Sequence, residues 1–421
     1  MVLQDWLEIG IAVALGLCGY TYLVYPLLLS GASRFFGRRP TCEEVSEELG
    51  KEGKDWPRVC IVIAAYNEEL VIAHKIRNTQ ALDYPADRLE ILVGSDGSDD
   101  RTESIVAEAA AEDPRIRLLP MRPRRGKPSV INAAILETDA PFVVLTDANT
   151  MFDANLVRRL VTALEMDENV GAVVGEMRLV TPDGFKTEGV YWKYEVALKK
   201  MEDRLGAVLG ANGGNYAIRR ADFSPIPAET WIDDFVLPLL ISVRFGTRVR
   251  YDAGALAWED TTQSVEAEFE RKSRIGAGNF QALFILWRLL NPLRGWVSFA
   301  FWSHKVIRWT VPFCMVFTLV ASVALFTKGV LFQWLLALQL IFYAATALGK
   351  IAPEGGRLRN VLALPCYFTG MNLALANGFI RWATGRQRAA WERTQRIEQS
   401  FWGSSETWEN RNPGGTRKSH E

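Results

Sequence analysis

Arg58-Val59-Cys60-Ile61-Val62-Ile63-Ala64-Ala65-Tyr66-Asn67-Glu68-Glu69 decides the fold. After Arg58, its apolar and β-branched residues have the composition of a strand covered on both faces. The run stops at Tyr66-Asn67-Glu68-Glu69, where a helix begins and continues to about Ala81. Outward from it the alternation repeats. Leu89–Gly94 is a strand, Ser95-Asp96-Gly97-Ser98-Asp99-Asp100 a turn, and a helix starts near Thr102. Ile116–Leu119 is a third strand, Pro128–Glu137 a helix and Pro141–Thr146 a fourth strand. Strands and helices in alternation predict an α/β domain with a mostly parallel sheet and helices on both faces. Ligands of such sheets bind outside the carboxyl ends of the strands.

The chain has 421 residues, room for one large or two ordinary domains, and a formal net charge of -1. That charge excludes nucleic acid as the expected main partner, because neutralising phosphates needs a basic excess. Cys18, Cys42, Cys60, Cys314 and Cys366 form no CxxC pair, and His74, His304 and His420 show no HExxH spacing. Metal chemistry therefore calls for oxygen ligands.

Charge is concentrated between about residues 34 and 295, and both ends are apolar. Trp6–Leu29 carries one charge, Glu8, and is long enough to cross a bilayer. Asp5 and Glu8 lie at its start while Arg34, Arg38 and Arg39 follow it, which places the main domain in the cytoplasm by the positive-inside rule. Ile307–Phe326 and Val330–Leu348 are two further spans. Val361–Trp382 is interrupted by Pro365, Gly370, Asn372 and Asn377, which suits a crossing or a re-entrant segment. Asn291–Lys305, aromatic with spaced charges, reads as an interfacial helix. The side of the C-terminal tail is open: three crossings put it outside, whereas Arg381, Arg386, Arg388, Arg393 and Arg396 favour inside. The expected organisation is a membrane segment over residues 1–33, a linker over 34–56, a cytoplasmic domain over 57–285, interfacial and membrane helices over 286–400, and a polar tail over 401–421.

The unusual residues gather where strands end. Small Ala64 and Ala65 let a base approach the backbone, and Glu68 or Asp96 can accept from a ribose or base; Asn67 and Glu68 equally suit a helix cap. A calcium loop beginning at Asp96 fails, because its sixth and twelfth places hold Arg101 and Ala107. Arg122-Pro123-Arg124-Arg125-Gly126-Lys127 between a strand and a helix suits a diphosphate, or is a solvated basic loop. Asp147-Ala148-Asn149 offers hard oxygen ligands, and Asn149 can also cap a helix. Asp233-Asp234 opens a helix, where acids also suit the dipole. Gly210 through Tyr216 is Gly-rich without GxGxxG spacing, and Arg271 and Arg274 share a helix face.

In this order and spacing the motifs resemble the membrane-bound family 2 glycosyltransferases, the branch of cellulose, chitin and hyaluronan synthases, over roughly Trp56 to Gln281. The resemblance implies the nucleotide-sugar-binding fold called GT-A, flanked by transmembrane helices. It implies Ala64, Tyr66, Glu68, Asp96, Lys127, Asp147 and Arg274 at the donor, Asn212, Gly213 and Asp233 at the acceptor, and Asp234 as general base. It implies magnesium or manganese at Asp147 and Asn149, where the family's second Asp is replaced by Asn. The family's QxxRW reads Arg271-Lys272-Ser273-Arg274-Ile275 here, so the second Arg matches while Gln and Trp are absent. The implied reaction is inverting transfer of a hexose or N-acetylhexosamine from a UDP-sugar to a growing β-linked polysaccharide at the inner membrane face. Single transfer to a membrane lipid is the close alternative, and a nucleotide-sugar sensor without turnover the distant one. A partner subunit is left open.

Overall fold

The computed structural model describes residues 3–51, 53–180, 190–211, 213–260, 265–352 and 357–387. One eight-stranded sheet organises the domain: β1 (Val59–Ala65), β2 (Leu89–Ser95), β3 (Ile116–Pro120), β4 (Phe142–Asp147), β5 (Met151–Phe152), β6 (Val170–Val180), β7 (Tyr216–Arg219) and β8 (Arg248–Asp260). Its order is β3-β2-β1-β4-β7-β6-β8-β5, with β3, β2, β1 and β4 parallel and β7 antiparallel to both β4 and β6. Every residue of β1 is buried, as its unbroken apolar run requires of a central strand.

The chain moves from β1 outward to β2 and β3, then returns to place β4 on the other side of β1. That reversal is the switch point at which a parallel sheet opens a crevice between strand ends. Register fixes what meets there: Ala64 pairs with Asp147 on one side and with Gly94 on the other, and Ala65 pairs with Ser95. Because β7 runs antiparallel to β4, with Tyr216 opposite Leu145, the glycine loop before β7 arrives beside Asp147.

Among the described residues, three helices are long and apolar enough to cross a membrane: Leu3–Phe35, Trp296–Ala324 and Val330–Ile351. Leu23, Leu27, Val316, Val320 and Trp334 turn large apolar side chains outward from them. That surface suits lipid and would be a liability in water.

Three of the expected segments take the following forms. Residues 41–49 of the expected linker form a helix, Thr41–Leu49, with Val45 buried in the domain core and Thr41 bonded to Asp203 through its amide (2.9 Å) and hydroxyl (2.8 Å). Its pattern of charges hides an apolar pair four residues apart, Val45 and Leu49, packed on the core. The expected interfacial helix over Asn291–Lys305 is two short 3-10 turns followed by the start of the Trp296–Ala324 helix. His304 and Arg308 are tolerated in that helix because Glu202 and Glu195 of the Val190–Leu205 helix meet them. The interrupted segment Val361–Trp382 lies in one continuous helix, Arg357–Ala383. Its polar residues serve packing on the Val265–Ile285 helix: Asn377 donates to Ser273 at 3.0 Å, and Arg381 pairs with Glu270 at 2.6 Å. Arg388, Arg393, Arg396 and the 401–421 tail lie outside the described residues.

Candidate active site

Three segments, one strand end and two helix starts, converge on one cluster of charges. Lys127, first residue of the Lys127–Leu136 helix, places its ammonium 2.7 Å from Asp147 Oδ1 and 3.0 Å from Asp233 Oδ2. Asp147 ends β4, and Asp233 opens the Asp233–Phe245 helix. The two carboxylates raise the Lys127 pKa against the cost of its burial, so it stays charged. Burial pushes Asp233 upward, opposed by Lys127 and assisted by the charges of Asp234 and Asp147. The space around them is lined among others by Ala64, Thr146, Asp147, Gly214 and Asp233 and has no room even for a water molecule. A nucleotide sugar therefore has to sit above it or open it.

Gly213 and Gly214 are needed for different reasons. Gly213 adopts φ 86°, which an L side chain rarely takes, and donates its amide to Asp234 Oδ2 at 2.6 Å. A Cβ on Gly214 would lie 2.3 Å from the Asp147 amide nitrogen, so only glycine lets this loop lie against β4. Asp234 also accepts from its neighbour, Phe235 N, at 3.0 Å. An ionised carboxylate has about four acceptor positions, which leaves room for a substrate hydroxyl.

The first two turns are knitted to each other. Asn67, at φ 53°, exchanges hydrogen bonds with Asp99 through both ends of its amide, and the Glu68 amide donates to Thr102 Oγ1 at 2.8 Å. Tyr66 stacks under Arg124, whose guanidinium lies 3.6 Å from the ring centroid. Asp96 is fully buried; its Oδ1 accepts from Arg125 N (2.8 Å) and its Oδ2 from Gly126 N (2.9 Å). As the chain stands, Asp96 therefore braces the basic loop and exposes no surface to a nucleoside.

Of the residues singled out in the sequence, the structure brings Ala64, Lys127, Asp147, Gly213, Asp233 and Asp234 together. Asn149 donates from Nδ2 to Glu259 Oε1 at 3.0 Å, which turns its Oδ1 away from that carboxylate. Arg274 is half-buried on the Val265–Ile285 helix and makes no hydrogen bond or ion pair with the Lys127 cluster among the described residues. Asn212 lies outside the described residues. Among them no group of three or more His, Cys, Asp or Glu side chains could hold a metal. A hard cation here would take Asp147, the Asn149 amide oxygen and oxygens of the ligand itself, a donor set of the right chemistry.

Two residues escaped the sequence. Glu259 sits on β8, more than a hundred residues from Asn149, and nothing local marks it. Lys75 is fully buried in the Ile72–Gln80 helix beneath β4, bonded to Thr146 Oγ1 at 3.0 Å and to the Thr150 carbonyl, with its ammonium 3.7 Å from the Phe152 ring centroid. It anchors both ends of the Asp147 turn. A lysine on a helix reads as a solvated charge, and only the crossover under the sheet turns it inward.

Burial drives the Lys75 pKa well below 10.5, although Asp147 pulls it up. Between the two values the unfolded chain carries one proton more than the folded chain, so this group's contribution to stability rises with pH until the unfolded lysine titrates. In detergent melts from pH 6 to 10, wild type is expected to gain stability relative to Lys75→Met as pH rises. A pH-independent difference would contradict a deprotonation-prone Lys75.

Residues 60–224 match the family described as Glycosyl transferase family 2, and the chain carries a domain of that family. The architecture is that of the GT-A fold. Relatives include the Probable glycosyltransferase YdaM of Bacillus subtilis, 27% identical over 288 residues, 63% of this chain and 65% of that protein. The Beta-monoglucosyldiacylglycerol synthase of Synechocystis is 33% identical over 112 residues, 25% of this chain and 22% of the relative. The Poly-beta-1,6-N-acetyl-D-glucosamine synthase of Staphylococcus aureus is 20% identical over 272 residues, 62% of this chain and 65% of the relative. The matches thus span less than two thirds of these proteins. Among solved structures, the mannosyltransferase PcManGT of Pyrobaculum calidifontis, in complex with GDP-Man and Mn2+, superposes over 90% of this chain and 100% of its own. Its TM-score is 0.65 at 21% identity, a likeness of fold.

Proposed function

We propose that the protein is an inverting glycosyltransferase that moves a hexose or N-acetylhexosamine from a nucleotide-diphosphate donor, read as UDP-linked, to an acceptor at the inner membrane face. The observation that carries it is the Lys127–Asp147–Asp233 cluster with Asp234 alongside, at the switch point of a family 2 domain. In this reading Asp234 takes the proton of the acceptor hydroxyl as that oxygen attacks the anomeric carbon. The bond from that carbon to the diphosphate oxygen breaks on the opposite side, and configuration inverts in one displacement. Lys127, already cationic and nearly dry, offers the leaving diphosphate a donor. When bound, a divalent cation at Asp147 and Asn149 supplies neutralising charge for that diphosphate.

Two acceptors fit the domain. A growing β-linked polysaccharide suits flanking membrane helices and the synthase from Staphylococcus among the relatives. Single transfer to a membrane lipid suits Ile275 in the place of the family's Trp, and the glycolipid synthase from Synechocystis. Product length separates them.

With Asn149 neutral, the cation is held by one protein charge and is expected to be weakly retained. EDTA is expected to stop turnover, and millimolar manganese or magnesium to restore it. Full activity in EDTA would remove the metal from the reading.

A further inference from the structure

A second polar cluster lies on the membrane side of Asp234. The Val190–Leu205 helix contributes Glu195, Lys199 and Glu202, and the Trp296–Ala324 helix contributes His304, Lys305 and Arg308. His304 bridges Glu202 (Nδ1, 2.6 Å) and Glu195 (Nε2, 3.1 Å), Tyr25 donates to Glu202 at 2.9 Å, and Arg308 Nη1 is bonded to Glu195 and to Tyr191 (3.1 Å). Those contacts meet both oxygens of Glu195 but only Oε1 of Glu202, whose buried Oε2 has no hydrogen-bond partner among the described residues. Against these two carboxylates stand the three cations Lys199, Lys305 and Arg308.

Arg308 is nearly buried, yet its Nε and Nη2 have no hydrogen-bond partner among the described residues. Lys305 has neither a hydrogen bond nor an ion pair among them; its ammonium rests 5.6 Å from the ring centroid of Phe235, the neighbour of Asp234. Lys199 is only 6% exposed and donates to the Gly210 carbonyl at 3.2 Å. Gly210 packs so closely on Phe235 that a Cβ there would lie 2.9 Å from its Cα. Burial and then the charge of Lys305 push Lys199 down to about 8. Two lysines therefore flank the start of the helix that carries Asp234, and a guanidinium with free donors lies one turn further along from Lys305.

With Arg308 already paired to Glu195, the cluster still sets three cations against two carboxylates, and an unmatched charge at this depth is costly unless a ligand meets it. Ammonium groups with a planar guanidinium suit a multi-oxygen anion, phosphate above all. Two of the three cations sit in a helix apolar enough to span a bilayer, so the site is reached from the headgroup layer. A neutral saccharide would leave that excess charge unmet. We propose that Lys199, Lys305 and Arg308 hold the phosphate of an anionic membrane lipid whose headgroup hydroxyl reaches Asp234 as acceptor. This deepens the transfer reading above and rests on it.

The full-length chain in nanodiscs of phosphatidylcholine with one tenth phosphatidylglycerol is extracted into detergent, and its retained lipid is counted by native mass spectrometry. Wild type is expected to retain phosphatidylglycerol over phosphatidylcholine. Lys305→Met, which has no hydrogen bond to lose, is expected to weaken retention at least tenfold, and Lys305→Arg to restore it. Lys199→Met, on the soluble domain, is the second variant and is expected to show the same loss; Lys51→Met, at an exposed position, is the control and stays as wild type. Equal retention by both Met variants, or displacement of the lipid by inorganic phosphate at equimolar concentration, would overturn the lipid site. Nucleotide release from a donor panel is read on the same preparation. Charge-dependent retention without release would overturn the transfer reading and leave the lipid site, whereas release with charge-independent retention would do the reverse.

Discussion

Asp234→Asn is expected to lower kcat by about 10²–10⁴-fold, the range that a positioned general base contributes. Donor affinity is expected to change little. The substitution keeps the shape and one acceptor oxygen, so only one of the two amides that Asp234 now accepts, Gly213 N at Oδ2 and Phe235 N at Oδ1, keeps its partner. It removes the basic oxygen, and asparagine cannot take the hydroxyl proton. A binding measurement with the donor, beside turnover, separates the two effects. If the variant turned over at the wild-type rate, Asp234 would be a loop brace and nothing more.

Lys127→Met carries the second large effect, and it is expected in two readouts at once. Lys127 is the cation between Asp147 and Asp233, at 2.7 and 3.0 Å, with little of any of the three side chains exposed. Removing one partner of a buried ionic set typically costs about 3–5 kcal/mol, because the remaining charges stay behind unpaired. The variant is expected to melt well below wild type in detergent and to bind donor more than tenfold more weakly. The double variant Lys127→Met with Asp233→Asn is expected to recover stability, since it removes one stranded charge, without recovering donor binding. A stable single variant with normal donor affinity would mean that the cluster is neither structural nor a diphosphate contact.

The parts of this site that could be read in the sequence are those set by a single strand and the turn after it. The apolar run into Tyr66-Asn67, the Asp147 strand end and Gly126-Lys127 each carry their signal locally, and register then brings Ala64 beside Asp147. What could not be read depends on contacts between distant segments. Lys75 looks solvated until the Ile72–Gln80 helix is laid under β4. Glu259 meets Asn149 because β8 pairs with β5 just after it, Met151 opposite Trp258, across more than a hundred residues of sequence. The spaced charges Arg294, His304 and Lys305 made Asn291–Lys305 read as interfacial, because the countercharge of His304, Glu202, lies about a hundred residues away. Asp96, an acid at a strand end that reads as a ligand contact, is turned inward by the fold to hold Arg125 and Gly126, two bonds that no local signal announced.

The most direct test uses detergent-purified full-length protein with manganese and a panel of UDP- and GDP-sugars. It records nucleotide-diphosphate release and the size of the glycosylated product in the presence of membrane lipid. The expected result is release from one donor, dependent on Asp234, with sugar appearing on an acceptor in inverted configuration. No release from any donor by well-folded wild-type protein would contradict catalysis at this site and favour a nucleotide-sugar sensor.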